Sequence, residues 1–296
     1  MNKNVLITGI TGMLGSAVLR SFQFHENYQI YGVSRNLSSY LKNVEMYYGD
    51  LGDIEFIKTI KNKFDIIIHC SAEVNVDLCE EDKFHAYNSN VVSTKNLTYL
   101  RPRLIVYIST DSVFDGQTGK YRENGKVNPL NYYANTKMIG EQVVQNSNLN
   151  YLILRTNLYG FSQNMKNSLF EWAYKALSAG SKINGFSNVY FNPLYVGQIA
   201  DLLHVFFKLE IKNETFHLGA EDNVSKYEFL SQIIGIFNFD ENQLNSVLYD
   251  NTQFSSPRAL NTTLDISKIK KVINNFNFSL RSGILQMKND LHILGV

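Results

Sequence analysis

Apolar residues in the first half of the chain fall in short runs separated by amphipathic stretches. Val5 to Thr8 ends in a glycine-rich turn, and Met13, Leu14, Ala17, Val18 and Phe22 then follow helical spacing, which predicts strand, turn and helix in that order. Further strand-like runs occupy Gln29 to Val33, Asp65 to Cys70, Leu104 to Ile108 and Tyr151 to Leu154, and another strand is expected before Asp50. Helical patterns over Ile54 to Asn62, Lys83 to Tyr99 and Tyr133 to Gln145 lie between them, and Pro129 suits the start of the last. Strands alternating with helices predict an α/β fold, a Rossmann-type doubly wound parallel sheet covered on both faces. After Asn157 the alternation stops, and segments rich in Asn, Ser, Gly and aromatic residues separate shorter periodic stretches. Val196 to Leu209 has a helical pattern expected to pack back on the sheet. The expected organisation is a dinucleotide-binding domain over 1–157, rejoined by about 188–212, and a smaller C-terminal substrate lobe formed by 158–187 and 213–296.

Charge changes this picture little. The 296 residues carry 28 basic and 27 acidic side chains, a formal net charge of +1, so nothing electrostatic argues for a nucleic-acid or membrane partner. Cys70 and Cys79 are too few for a disulfide framework and suggest a reducing cytoplasm. No charged leader with an apolar run opens the sequence, and no stretch approaches the roughly 18 apolar residues of a membrane span. The six histidines lack metal-ligand spacing, so no metal is expected.

The chemistry begins at Thr8-Gly9-Ile10-Thr11-Gly12-Met13-Leu14-Gly15, a T-G-x-x-G-x-x-G turn between the first strand and the first helix. Gly9 permits the tight turn, Gly12 lets the backbone approach a pyrophosphate, and Gly15 allows close packing of helix on sheet, with Thr11, Met13 and Leu14 completing the cradle. About 20 residues further on, where an acidic side chain would hold the adenosine ribose, the sequence has Ser34-Arg35. An arginine there can pair with a 2′-phosphate, which favours NADPH; as a solvated loop residue it would leave NADH open. Asp50 and Leu51 after the third strand are candidates to contact the adenine, and Ser71 and Ala72 after the fourth to line the cofactor groove. Tyr133 and Lys137, four apart on a helix, share one face, and an ammonium beside a phenol would lower the phenol pKa. Thr110 ends the fifth strand, where ligands bind in open α/β sheets, so it can hold a substrate carbonyl while Tyr133 donates a proton.

These segments, with Leu154-Arg155-Thr156, resemble the extended short-chain dehydrogenase/reductase family and, within it, the dTDP-4-dehydrorhamnose reductase branch. The likeness extends through Asn192 to Gly197 and through Arg258 to Asp265, where Ala259 and Thr262 stand for the family's proline and serine. The resemblance implies Thr110, Tyr133 and Lys137 as catalytic residues, Lys137 also holding the nicotinamide ribose. It places Asn90 near the cofactor, although Asn90 could instead cap local backbone. Asp111, Ser112, Val113, Phe114, Asn157, Leu158 and Arg258 are the implied substrate contacts, and a homodimer is implied. Ser112 replaces the glutamate that related 4,6-dehydratases use for elimination, which points to simple ketone reduction. Ser112 and Leu158 also stand where the reductases carry tyrosine and tryptophan, so the sugar, its stereochemistry or its nucleotide is expected to differ. The implied activity is NADPH-dependent reduction of a nucleotide-linked 4-keto-6-deoxy sugar to rhamnose, 6-deoxytalose or a related sugar for cell-surface polysaccharide. An epimerase with retained NAD, or a cofactor-binding regulatory subunit resembling the methionine adenosyltransferase β subunit, is the alternative. Lys166, Lys175 and Tyr190 are further candidates to touch a nucleotide diphosphate.

Overall fold

Consecutive residues of each central strand bury themselves on opposite faces. Val5, Ile7, Ile66, Ile68, Val106, Leu152 and Leu154 belong to one apolar cluster, whereas Leu6, Ile67, Ile105, Tyr107 and Ile153 belong to a second on the other side. A sheet apolar on both faces must be covered on both, which is the physical content of the alternation read in the sequence. The computed structural model describes residues 2–36, 41, 44–162, 165, 168–250 and 256–294, so Lys166 lies outside the described residues.

The strands are β1 (Lys3–Thr8), β2 (Tyr28–Ser34), β3 (Glu45–Tyr48), β4 (Ile66–His69), β5 (Leu104–Thr110), β6 (Tyr151–Thr156) and β7 (Leu158–Tyr159). Then follow β8 (Ile183–Phe186), β9 (Tyr190–Phe191), β10 (Leu194–Tyr195), β11 (Glu214–Leu218), β12 (Val224–Ser225) and β13 (Leu244–Val247). The helices are α1 (Met13–Phe22), α2 (Ile54–Thr59), α3 (Val76–Glu81), α4 (Lys83–Tyr87), α5 (Ser93–Thr98) and α6 (Tyr132–Gln145). They continue with α7 (Leu169–Ser178), α8 (Val196–Lys208), α9 (Lys226–Phe237), α10 (Ser267–Val272) and α11 (Leu280–Leu294). The seven-stranded sheet has the order β11-β6-β5-β4-β1-β2-β3 with every pairing parallel. From β1 the chain winds outward to β3 and then returns to β4 on the other side of β1. Thr8 and His69 are therefore register partners at the switch point, where a crevice opens beyond the carboxyl ends.

Two expectations are corrected. The sequence pattern places 213–296 wholly in the second lobe, but β11 is the edge strand of the central sheet, paired with β6. Its Glu, Thr and His give it little of the apolar look of a buried strand. The helix expected over 83–99 is broken into α4, a π-helical turn at Asn88–Val92, and α5. Such wide turns are rare and concentrate near functional sites. Both cysteines are free, Cys70 half-buried and Cys79 buried. Beyond the sheet, β7 pairs with β10, β9 with β12 and β8 with β13, building a set of short pairings around α7 and α9. Ser-x-x-Glu capping boxes at Ser168 and Ser225 fix the starts of those two helices.

Candidate active site

The glycine turn packs as tightly as its sequence requires. Gly9 has φ +61°, and a Cβ there would lie 2.8 Å from the Ser71 nitrogen, so the turn rests on the loop after β4. A Cβ on Gly15 would sit 2.2 Å from the Gly9 oxygen. Gly12 is the N-cap of α1 and supplies no side-chain acceptor, and the first turn contains no acidic residue. First-turn N–H groups at the positive end of the helix dipole are thus left for an anion. This cradle fits a dinucleotide pyrophosphate. Thr11 and Met13 are half-buried beside it, whereas the Leu14 side chain lies in the core, so only its backbone can serve a ligand.

Below the turn, the Thr8 hydroxyl bonds His69 Nδ1 at 2.7 Å and accepts the Ser71 N–H at 3.3 Å, and His69 Nε2 meets the Thr94 hydroxyl at 3.0 Å. Burial, with the Lys137 charge, pushes His69 down to about 3, so it is a neutral linker between strand ends. Among the flanking candidates, Ala72 is half-buried after Ser71. Ser34 turns its hydroxyl to the Asn36 carbonyl at 2.9 Å, and Arg35 is exposed with no ion pair among the described residues. Asp50 is exposed and accepts the Gly52 N–H at 2.8 Å; Leu51 is buried, its carbonyl held by Asn96 at 2.9 Å. Asn90, buried in the π turn, accepts the Glu73 N–H at 2.8 Å and donates to the Glu73 carbonyl at 3.0 Å and the Thr136 hydroxyl at 2.9 Å. Its side chain thus ties the 73–75 loop to α6, the local-backbone alternative rather than a free ligand group.

The Asn131 side chain caps α6 through the Ala134 N–H, setting Tyr133 on the first turn and Lys137 one turn later. Helix α6 packs on β5 and the turn after it, which brings the Tyr133 phenol beside the Thr110 side chain at the end of β5. The expected tuning of this phenol is corrected. Burial holds its pKa above the ordinary phenol value, opposed by the polar Thr110 side chain beside it and reinforced by Asp111 and Cys79; Lys137 is not among the causes. Instead the Lys137 ammonium lies 4.2 Å from the centroid of the Tyr107 ring, a cation–π contact. Burial brings Lys137 down to about 8, against an upward pull from Glu141.

A buried ion pair fixes α6 to the sheet. Arg155 of β6 donates Nε and Nη2 to Glu141 Oε1 and Oε2 at 2.9 and 2.7 Å, and Ser109 of β5 donates to the same carboxylate at 2.5 Å.

The substrate side is organised by Asp111, buried after Thr110. Its Oδ1 accepts the Thr110 and Ser112 hydroxyls at 3.1 and 3.2 Å, and its Oδ2 accepts Asn157 Nδ2 at 2.8 Å and the Thr262 hydroxyl at 2.5 Å. Ser112, Phe114, Asn157, Thr262 and Arg258 line a cleft of about 560 Å³. Arg258 also donates to Asp77 at 2.8 Å. Two assigned contacts do not reach this cleft with their side chains. Val113 is fully buried with Phe114 and Leu264, and Leu158 pairs with Leu194 and packs on the main core. The absence of an aromatic ring at 158 therefore does not open the cleft directly. Tyr190, named from sequence, does line the cleft, whereas Lys175 turns to the Met165 carbonyl. Lys226 was missed. It is the first residue of α9, its ammonium 3.2 Å from the centroid of the Phe191 ring and within the field of Asp111. The Ser225-x-x-Glu228 box marked the helix start in the sequence, but nothing there connected it to Thr110. No cluster of three metal-ligating side chains occurs among the described residues, and no described helix is long and apolar enough to cross a membrane.

Comparison with known proteins converges on one family. The family model RmlD substrate binding domain matches residues 3–292. The methionine adenosyltransferase 2 subunit β of Bos taurus is 30% identical over 281 residues, covering 91% of this chain and 82% of that protein. A probable low-salt glycan biosynthesis reductase of Haloferax volcanii is 25% identical, covering 89% of this chain and 90% of its own. In fold, the crystal structure of dTDP-4-dehydrorhamnose reductase from Bacillus anthracis in complex with NADP superposes with a TM-score of 0.85 at 24% identity, covering 98% of this chain and all of the other. The glycine cradle, the placing of Tyr133 beside Thr110 and a match over nearly the whole length have one common explanation: the chain belongs to the RmlD substrate binding domain family, in the dTDP-4-dehydrorhamnose reductase-like branch of the extended short-chain dehydrogenases/reductases.

Proposed function

We propose that the protein is an NADPH-dependent reductase of a nucleotide-linked 4-keto-6-deoxy sugar, with Thr110, Tyr133 and Lys137 as its catalytic residues. The carrying observation is the placing of Tyr133 beside Thr110 at the carboxyl end of β5, on the ligand-binding side of the sheet. When bound, the nicotinamide supplies the hydride. The backbone N–H groups of Met13 and Leu14, at the start of α1, hold the pyrophosphate, with Gly12 leaving room for it; Arg35 reaches a 2′-phosphate, and Lys137 holds the nicotinamide ribose. Thr110 orients the ketone oxygen and Tyr133 gives it a proton. Burial that raises the Tyr133 pKa keeps the phenol protonated at neutral pH, the form a reductase needs. Asp111, held by four donors, fixes the loop beneath the sugar. The bound NADP of the Bacillus anthracis reductase supports the cofactor assignment. We further assign the sheet and its covering helices to the cofactor, the lobe around α7 and α9 to the substrate, and the cytoplasm as the compartment. Mixing the protein with NADPH and dTDP-, UDP- or GDP-linked 4-keto-6-deoxy sugars should oxidise the cofactor in proportion to sugar; no oxidation with any of them refutes the reading.

A second reading is a regulatory subunit that binds the dinucleotide and serves a partner enzyme. Its support is the 30% identity to a methionine adenosyltransferase β subunit over 91% of the chain. Stable co-purification with a methionine adenosyltransferase catalytic chain, without turnover of any keto sugar, would select it.

A further inference from the structure

We propose that Lys226 is the anchor for the diphosphate of the nucleotide-linked substrate, and so a specificity-determining residue of the cleft; this rests on reading the cleft as a sugar-nucleotide site. The position is built rather than incidental. Ser225 and Glu228 form the capping box that fixes the start of α9, and the Lys226 N–H donates to the Val189 carbonyl at 2.9 Å. The side chain reaches into the cleft over the Phe191 ring. Among the described residues its ammonium has no hydrogen bond and no carboxylate in ion-pair contact, only this ring and the more distant field of Asp111.

Asp111 is poorly placed to become that partner, because both of its oxygens already accept two donors each. The other cation lining the cleft, Arg258, is bonded to Asp77. A half-buried ammonium without an anion is disfavoured, and desolvation is the main force lowering Lys226 to about 8, which leaves it largely charged at neutral pH. An incoming phosphate oxygen would supply the missing acceptor, with Arg258 as a second cationic donor. The remaining walls include Phe186, Tyr190 and Tyr249, whose rings suit a nucleobase and ribose. Cation, second cation and aromatic walls together describe a nucleoside diphosphate better than a neutral sugar.

The test is calorimetric titration of the full chain, saturated with NADPH, with dTDP, UDP, GDP and inorganic pyrophosphate, for wild type, Lys226→Gln and Lys226→Arg. At least one nucleoside diphosphate should bind wild type, with pyrophosphate competing. Lys226→Gln should bind it about 10- to 100-fold more weakly, as expected for loss of a charged hydrogen bond, and Lys226→Arg should recover most of that loss. In turnover, KM for the sugar nucleotide should rise with kcat largely kept, NADPH affinity should be unchanged and the melting temperature should not fall, whereas loss of a merely structural lysine would lower it. Unchanged nucleoside diphosphate affinity in Lys226→Gln, while wild type still oxidises NADPH with a keto sugar, overturns the role of Lys226 alone. A wild type that binds none of the three nucleotides and turns over no sugar overturns the reductase reading together with this one.

Discussion

Replacing Glu141 by Gln tests how α6, and with it Tyr133 and Lys137, is held to the sheet. The Glu141 and Arg155 side chains are 5% and 8% exposed, and the carboxylate takes two N–H bonds from Arg155 and one from Ser109. Glutamine keeps the shape but removes the charge, leaving the guanidinium with the Glu123 carbonyl at 3.2 Å and the face of Phe114. Orphaning one member of a buried pair costs about 3–5 kcal/mol. Since glutamine retains an acceptor, we expect about 3 kcal/mol, a fall in Tm on the order of 6 °C for a chain of this size. The same change alters the site. Glu141 holds the Lys137 pKa up against burial, so without it Lys137 should lose its proton below about 8. If the charged ammonium binds the cofactor ribose, NADPH affinity should weaken with rising pH at a lower pH than in wild type. Urea unfolding and NADPH titration across pH measure both effects. The Glu141→Leu/Arg155→Met double variant should regain most of the stability, because no charge is then left buried. A Glu141→Gln loss below about 1 kcal/mol, with an unmoved pH profile, would refute the reasoning.

Gly15→Ala drives a methyl group to 2.2 Å from the Gly9 oxygen, so the turn must open; stability should fall by about 1–3 kcal/mol and NADPH binding should be lost, as measured by melting and by fluorescence titration. Arg35→Ala should weaken NADPH by about tenfold, the loss of a charge-assisted hydrogen bond, and leave NADH unchanged; equal affinities before and after would assign Arg35 to solvent. Asn90→Ala should destabilise by about 2–3 kcal/mol, because the Glu73 N–H and carbonyl and the Thr136 hydroxyl lose their partner, with a smaller effect on cofactor affinity; the opposite split would make Asn90 a ligand group.

The central strands and the cradle were legible because both depend on local chemistry. Uninterrupted apolar runs such as Ile66 to Ile68 suit a strand buried on both faces, and Gly9 and Gly15 stand where a side chain would meet backbone. β11 was not legible, being short and partly polar, and its strand character comes from pairing with β6. The π turn left no mark either: Asn90 looks like any polar residue until Glu73 and Thr136 are brought to it. Spacing placed Tyr133 and Lys137 on one helix but could not say which ring the ammonium would meet. Tyr107, from β5, takes it. Lys226 was hidden for the same reason, since α9 and the loop after β5 come together only in the folded chain.

Transfer of the hydride, read in one experiment on wild type and Tyr133→Phe, tests the central claim most directly. With NADPH and a dTDP-linked 4-keto-6-deoxy sugar, and with the UDP- and GDP-linked analogues in parallel, wild type should consume one NADPH per sugar reduced. Tyr133→Phe should bind NADPH equally well and turn over about 10²–10⁴-fold more slowly, the usual contribution of a positioned acid. Turnover by Tyr133→Phe at the wild-type rate, or no NADPH oxidation by wild type with any of the three sugars, would contradict the account.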